Sequence, residues 1–325
     1  MSLTVALALV AAYGLGRPLP YLAPIFALVF SAAPKPPMGL KGLIGLVILV
    51  TLTLGTGLLL IPLLRNYGFS AVLMVAFGLY FATYVSVILK KGPVGTFMTM
   101  GITLIPVAGM MGSSVAVDVI DAIISGMAVA VICQWIVYPF FPETATAPAP
   151  PPPVDTVPSD WIALRTALVV LPPFLLALTN PSAYLAMIMK SVNLGQQASE
   201  VETAKAGRGL IISTFMGGCF AVLFWVGLDI LPSLWMFFLW TLLFGLYFGA
   251  KIFGALPGRY PPGLWINVFI TMLILIGPAV QDSANGKDVY KAFAVRISLF
   301  FAVTLYAWLA VVALEWWRLR RQGRQ

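Results

Sequence analysis

The sequence contains no histidine, only two cysteines and few charged residues. Only 9% of its 325 residues are charged, against about 25% in a typical soluble domain. Without histidine, the Ser-His-Asp and Cys-His catalytic arrangements and the HExxH metal motif are excluded. Cys133 and Cys219 lie inside apolar runs, which is typical of small buried hydrophobes rather than of redox or metal sites. We therefore predict no enzyme, no catalytic residue, no metal and no cofactor.

Apolar residues are abundant instead, at 61% of the chain. A soluble fold of this length cannot bury so much apolar surface, so the sequence predicts an all-α integral membrane protein of about twelve transmembrane helices. A proline-rich stretch, residues 141–160, separates two groups of six apolar segments. The segments are 2–16, 19–33, 42–64, 69–89, 94–112 and 117–140, then 161–178, 181–189, 207–230, 234–254, 264–280 and 289–317.

The two groups resemble each other in sequence. Phe77-Gly78-Leu79-Tyr80-Phe81 recurs 167 residues later as Phe244-Gly245-Leu246-Tyr247-Phe248, and Asp288 follows Asp121 at the same offset. Ordered matches at one offset indicate a duplication. We therefore predict two six-helix repeats, residues 1–140 and 161–325, joined by a cytoplasmic linker at 141–160. An even number of spans in each repeat makes the repeats parallel.

Charge placement predicts the orientation. With both termini in the cytoplasm, most of the 19 Lys and Arg residues fall on the cytoplasmic side. If the short segments 19–33 and 181–189 were re-entrant, this bias would disappear, so we favour twelve spans. The sequence leaves open whether these two segments cross the bilayer fully. The basic residues are thus topology signals rather than a nucleic-acid surface.

Acidic residues at the ends of apolar segments are candidates for proton coupling. Asp121 and Asp288 open equivalent segments, and Asp118 lies one turn before Asp121. In a desolvated vestibule the pKa of such carboxyls would be raised. The alternative is that they are solvated acids that complement a helix N-terminus. We expect Asp229 and Asp282 to be solvated loop residues.

Lys41 and Arg208 begin the third segment of each half at the cytoplasmic side. Arranged symmetrically, they would form a cationic mouth that gathers anions. The alternative is that they anchor their helices by snorkelling to the membrane surface.

Proline-rich breaks precede the second segment of each half. Arg17, Tyr21 and Tyr184 are the polar side chains near these breaks, and Arg296 lies two turns beyond Asp288. Broken helices at matching positions of two repeats are typical of a substrate path. Simple turns between spans are the alternative.

The repeated aromatic motif contains small residues at helical spacing. Gly78, Gly245 and Gly249 are predicted to allow close helix packing. The alternative is an aromatic lining for a ring-bearing substrate.

The run Leu19-Pro20-Tyr21-Leu22-Ala23-Pro24-Ile25-Phe26-Ala27-Leu28 and the stretch Leu104-Ile105-Pro106-Val107 resemble the fusaric-acid-resistance-type membrane proteins, also called aromatic acid exporters. The length and the layout of six segments, linker and six segments are similar to the short branch that lacks a cytoplasmic domain. The resemblance implies efflux of aromatic carboxylic acids from a bacterial inner membrane. It also implies a periplasmic adaptor of the membrane-fusion type and an outer-membrane channel as partners.

These features together predict a proton-coupled efflux transporter, an antiporter, for small aromatic or amphipathic compounds, which we expect to be anionic. A passive organic-anion channel would use the same cationic mouth without needing Asp121 or Asp288. A membrane scaffold that holds an adaptor protein without transporting a solute is a third possibility.

Overall fold

The computed structural model describes residues 1–32, 35–142, 159–181, 203–286 and 288–322, and every regular element in these ranges is a helix. The helices follow the apolar segments because a backbone in lipid must satisfy its hydrogen bonds internally. They are α1 Ser2–Gly14, α2 Leu22–Ser31, α3 Leu40–Asn66, α4 Gly68–Val87, α5 Gly92–Met111, α6 Ser113–Val137, α7 Ser159–Thr179, α8 Thr203–Ile230, α9 Leu234–Ile252, α10 Pro262–Ala284 and α11 Val289–Gln322.

Nine of the described helices, α3 to α11, are long and apolar enough to cross a membrane. This confirms the prediction of a multi-pass, all-helical membrane protein. The helix α2 has 10 residues and is therefore about 15 Å long, half of a hydrocarbon core of about 30 Å. Segment 181–189 lies outside the described residues beyond Pro181, as does the linker at 143–158, so the total of twelve spans stays a prediction.

The chain forms two compact units, and each combines helices from both halves of the sequence. Unit 1 comprises Met1–Val47, Asp121–Pro152 and Ile212–Ile297, and unit 2 comprises Ile48–Ile120, Pro153–Ile211 and Ser298–Gln325. Within unit 1, α1 packs against α2 and α9, while α10 packs against α9 and α2. Within unit 2, α4 packs against α5 and α7. The compact units therefore do not coincide with the predicted repeats.

The same pair of helices meets inside each unit. In unit 1 the first helix of the first half, α1, packs on α9, the fourth predicted segment of the second half. In unit 2 the first helix of the second half, α7, packs on α4, the fourth segment of the first half. These pairs occupy equivalent positions under the predicted duplication, which itself stays a prediction.

Glycines bring the third and fifth segments of each half into close contact. In unit 2, a Cβ on Gly57 would lie 2.8 Å from Cβ of Ile105, and one on Gly101 would lie 3.1 Å from Cα of Leu54. In unit 1, a Cβ on Gly217 would lie 2.6 Å from Cβ of Thr271. These spacings leave no room for a larger side chain, so backbones of α3 and α5, and of α8 and α10, approach closely.

The glycines of the repeated aromatic motif also lie at helix contacts, but their partners differ. In unit 1, Cβ atoms on Gly245 and Gly249 would each lie 3.2 Å from the side chain of Ser2 at the start of α1. In unit 2, a Cβ on Gly78 would lie 2.9 Å from Cδ1 of Ile102 on α5. The motif therefore supports different contacts in the two units.

Gly277 on α10 accommodates the buried ring of Tyr21 at the start of α2, and a Cβ at position 277 would overlap this ring. We predict that Gly277→Ala lowers the free energy of unfolding by about 1–3 kcal/mol, the usual effect of overpacking. Thermal unfolding of the detergent-solubilised protein measures this change.

Gly263→Ala is the matched control, because Gly263 lies in the same helix with open space around its Cα. It should leave the unfolding temperature unchanged or raise it slightly. Equal stability of the two variants would contradict the close packing of Tyr21 on Gly277.

Candidate functional site

A cavity of about 370 Å³ lies in unit 1 where four helices end or begin. The C-terminal ends of α1, α8 and α10 and the N-terminal end of α9 form its walls. The described residues that line it are Tyr13, Trp225, Leu228, Asp229, Pro232, Ser233, Leu234, Phe237, Val280, Ser283 and Ala284.

Three aromatic side chains line the cavity. Tyr13 and Phe237 meet edge to face, with ring centroids 5.1 Å apart. Trp225 meets Phe293 of α11 in the same way at 6.1 Å. The Tyr13 hydroxyl donates a long hydrogen bond of 3.5 Å to the carbonyl of Gly277. These contacts on α9, α10 and α11 hold the rings in position, so the aromatic faces belong to packed helices rather than to loops.

Among the described lining residues, Asp229 carries the one formal charge. It is the penultimate residue of α8, where the helix carbonyls concentrate partial negative charge and disfavour a carboxylate. Asp229 is exposed, and no described residue forms an ion pair with it. The neighbouring Ser233 caps α9, since its Oγ accepts a hydrogen bond of 3.2 Å from the N–H of Met236.

A buried ion pair lies beside the cavity wall, between Asp282 of α10 and Arg296 of α11. Their side chains are 11% and 21% exposed, and Asp282 directly precedes the lining residue Ser283. The expectation that Asp282 is a solvated loop residue is wrong, because α10 continues to Ala284 and carries the carboxylate into the protein. Arg296 neutralises this acid, and its place on a substrate path stays a prediction.

The structure brings together two residues that the sequence assigned to different roles. Arg17, predicted on the substrate path, lies with its Nη1 3.9 Å from Oδ2 of Asp121, a proton-coupling candidate. Both side chains are about half exposed, so this contact is a loose surface pair.

Asp288 caps the N-terminus of α11. Its Oδ1 accepts a hydrogen bond of 3.2 Å from the N–H of Lys291, whose Nζ lies 3.6 Å from its Oδ2. The hydrogen bond from the Lys291 backbone, aided by the lysine charge, lowers the pKa of Asp288 below its ordinary value. This position and the lowered pKa match the alternative of a solvated acid at a helix start, and the role of Asp288 in proton coupling stays a prediction.

The structure describes the side chains of two further predicted residues, one in each unit. Asp118 is exposed on α6, and Lys41 is exposed in the first turn of α3. Arg208 lies on α8, but its side chain is outside the described residues, as is Tyr184 entirely. The cationic mouth and the second broken helix therefore stay predictions.

Sequence reasoning missed the cavity because its members come from distant segments. Taken one at a time, the aromatic residues Tyr13, Trp225 and Phe237 are typical of a hydrophobic core. Asp229 taken alone is typical of a solvated loop. One local signal was present: Trp225 and Asp229 are four residues apart at the end of an apolar segment, a spacing that puts both on one helix face.

We predict that Arg296→Met destabilises the protein by about 3–5 kcal/mol, because it leaves the Asp282 carboxylate buried without this partner. Arg296→Met combined with Asp282→Asn should recover most of the loss. Thermal unfolding of the single and double variants measures the coupling between the two side chains. Losses that simply add would show that the two residues do not interact.

Comparison with known families gives one match. Residues 1–137 match a family described as "Protein of unknown function (DUF2955)". No curated protein and no solved structure gives a significant match. The matched part includes α1, α2 and the acids of α6, whereas Trp225, Asp229 and Phe237 lie beyond it.

Proposed function

We propose that the chain is a proton-coupled efflux transporter for small aromatic or amphipathic compounds. The observation that supports this proposal is the cavity in unit 1 that is lined by aromatic side chains. Its volume of about 370 Å³ falls in the range of about 300–1,000 Å³ that is common for small-molecule sites. It lies at helix ends in a chain whose helices are long and apolar enough to span a membrane.

The cellular setting of the proposal follows from charge and from resemblance. The positive-inside pattern orients both termini towards the cytoplasm, so the ends of α1, α8 and α10 that form the cavity would face away from it. The resemblance of residues 19–28 to the aromatic acid exporters supports a bacterial inner membrane and a periplasmic adaptor with an outer-membrane channel. The equivalent packing of α1 on α9 and of α7 on α4 supports two parallel six-helix repeats.

In this proposal Asp121 rather than Asp288 takes up the proton. Asp288 is held ionised by its capping hydrogen bond from Lys291 and by the lysine charge. The side chain of Asp121 has Arg17 as a neighbour at 3.9 Å, a long contact between half-exposed groups. A pair of this kind is weak, so Arg17 does not depend on Asp121 for its stability.

We predict that Asp121→Asn abolishes accumulation driven by a proton gradient in reconstituted vesicles, because the amide cannot take up the proton. The measurement is uptake of radiolabelled aromatic compounds with and without an imposed gradient. Asp160→Asn is the matched control, since Asp160 lies in the first turn of α7 and should leave uptake unchanged. Uptake that never needs the gradient would indicate a channel, and no uptake under any condition would favour a scaffold.

The predicted preference for anionic compounds depends on Lys41 and Arg208. We expect Lys41→Ala combined with Arg208→Ala to reduce transport of benzoate more than transport of a neutral aromatic alcohol. The reason is that cationic residues at a membrane face raise the local concentration of anions, an effect that salt weakens. Initial rates at low and high salt measure it. Equal losses for both compounds would assign these residues to membrane insertion.

A further inference from the structure

We propose that the cavity between α1, α8, α9 and α10 binds a small organic cation that carries an aromatic or apolar group, with Asp229 as its counter-ion. This inference rests on the proposed function and names a substrate class for the same cavity. It replaces, at this site, the anionic preference predicted from the sequence.

The first observation that supports a cationic ligand is the charge of the cavity. The described lining includes a carboxylate at Asp229 and no basic side chain. Arg296 on α11 is paired with Asp282, the residue before the lining residue Ser283. An anion in this cavity would meet like charge without compensation, whereas a cation would find an unneutralised carboxylate.

The second observation is the position of Asp229 at the end of its helix. A carboxylate next to the C-terminus of α8 is electrostatically unfavourable for that helix, and no described cation offsets it. A bound cation would relieve this repulsion. The Asp229 carboxylate and the C-terminal carbonyls of α8 are both negative, so both would attract the bound cation.

The third observation is that aromatic side chains line the cavity. Tyr13, Trp225 and Phe237 line the cavity together with Asp229. The face of an indole, phenol or phenyl ring attracts a cation electrostatically, and most strongly when water is excluded. Aromatic faces beside one carboxylate are a chemical arrangement that suits an ammonium group with apolar substituents.

The test uses three ring compounds that differ mainly in charge: phenyltrimethylammonium, neutral N,N-dimethylaniline and benzoate. Equilibrium dialysis of the full chain in a maltoside detergent at pH 8 and low salt measures their binding. We expect phenyltrimethylammonium to bind most tightly and Asp229→Asn to weaken its binding about tenfold or more. Trp225→Leu should weaken it about fivefold.

A control separates the site from general effects of mutation. Asp160→Asn removes an acid from α7 in unit 2 and should leave binding unchanged. If Asp229→Asn unfolds the protein, Asp229→Glu keeps the charge and should preserve the order of the three compounds.

Several results would overturn the proposal: equal binding of the three compounds, tighter binding of benzoate, or cation binding that Asp229→Asn leaves unchanged. Loss of cation binding in nanodiscs of phosphatidylethanolamine would also overturn it, because a lipid headgroup would then be the occupant. Transport is measured separately in vesicles. Aromatic flux that Asp229→Asn does not alter would uphold the transporter and reject this site, whereas binding without flux would uphold the site and reject the transporter.

Discussion

The packing of α1 against α9 is the contact on which the cavity in unit 1 depends. At one end of this contact, Gly245 and Gly249 admit the side chain of Ser2, and at the other end Tyr13 meets Phe237 edge to face. Lipid tails are as apolar as the helix surfaces, so such close steric fit rather than hydrophobicity selects the partner of a membrane helix. Tyr13, next to the last residue of α1, contacts Gly277, whereas α10 continues beyond Gly277 to Ala284. The cavity lies at these helix ends.

Two acids are held in ion pairs within the protein, one in each unit. In unit 2, Glu315 accepts hydrogen bonds of 2.9 Å from Trp161 Nε1 and 2.6 Å from Arg165 Nη1. In unit 1, Asp282 is paired with Arg296. Burial of a charge is tolerated where a partner of opposite sign neutralises it. Asp229 differs from these acids because it is exposed, lines a cavity and has no ion-pair partner among the described residues, so a bound cation could pair with it without breaking an existing pair.

The sequence predicted the helices well and the site poorly, for one physical reason. Apolar runs identify each span separately, so segment 69–89 anticipates α4 at Gly68–Val87 within two residues. The pairing of Asp282 with Arg296 and the meeting of Tyr13 with Phe237 depend on which helices become neighbours. In lipid, the apolar pattern of a helix says little about its neighbours. The roles of Tyr184 and of the Arg208 side chain stay predictions.

The predicted duplication does not extend to the chemistry of the cavity. At the offset of 167 residues, Trp225, Asp229 and Phe237 correspond to Leu58, Pro62 and Ser70, none of which is acidic or aromatic. Asp121 and Asp288 are also 167 residues apart, and they too have different neighbours: Arg17 lies near Asp121, and Lys291 lies near Asp288. The predicted repeats therefore share the order of the helices that pack, α1 on α9 and α7 on α4, but not the residues of the acidic cavity. Because the carboxylate is present in only one copy, the cavity has one charged anchor for a ligand, and its chemistry need not be matched in unit 2.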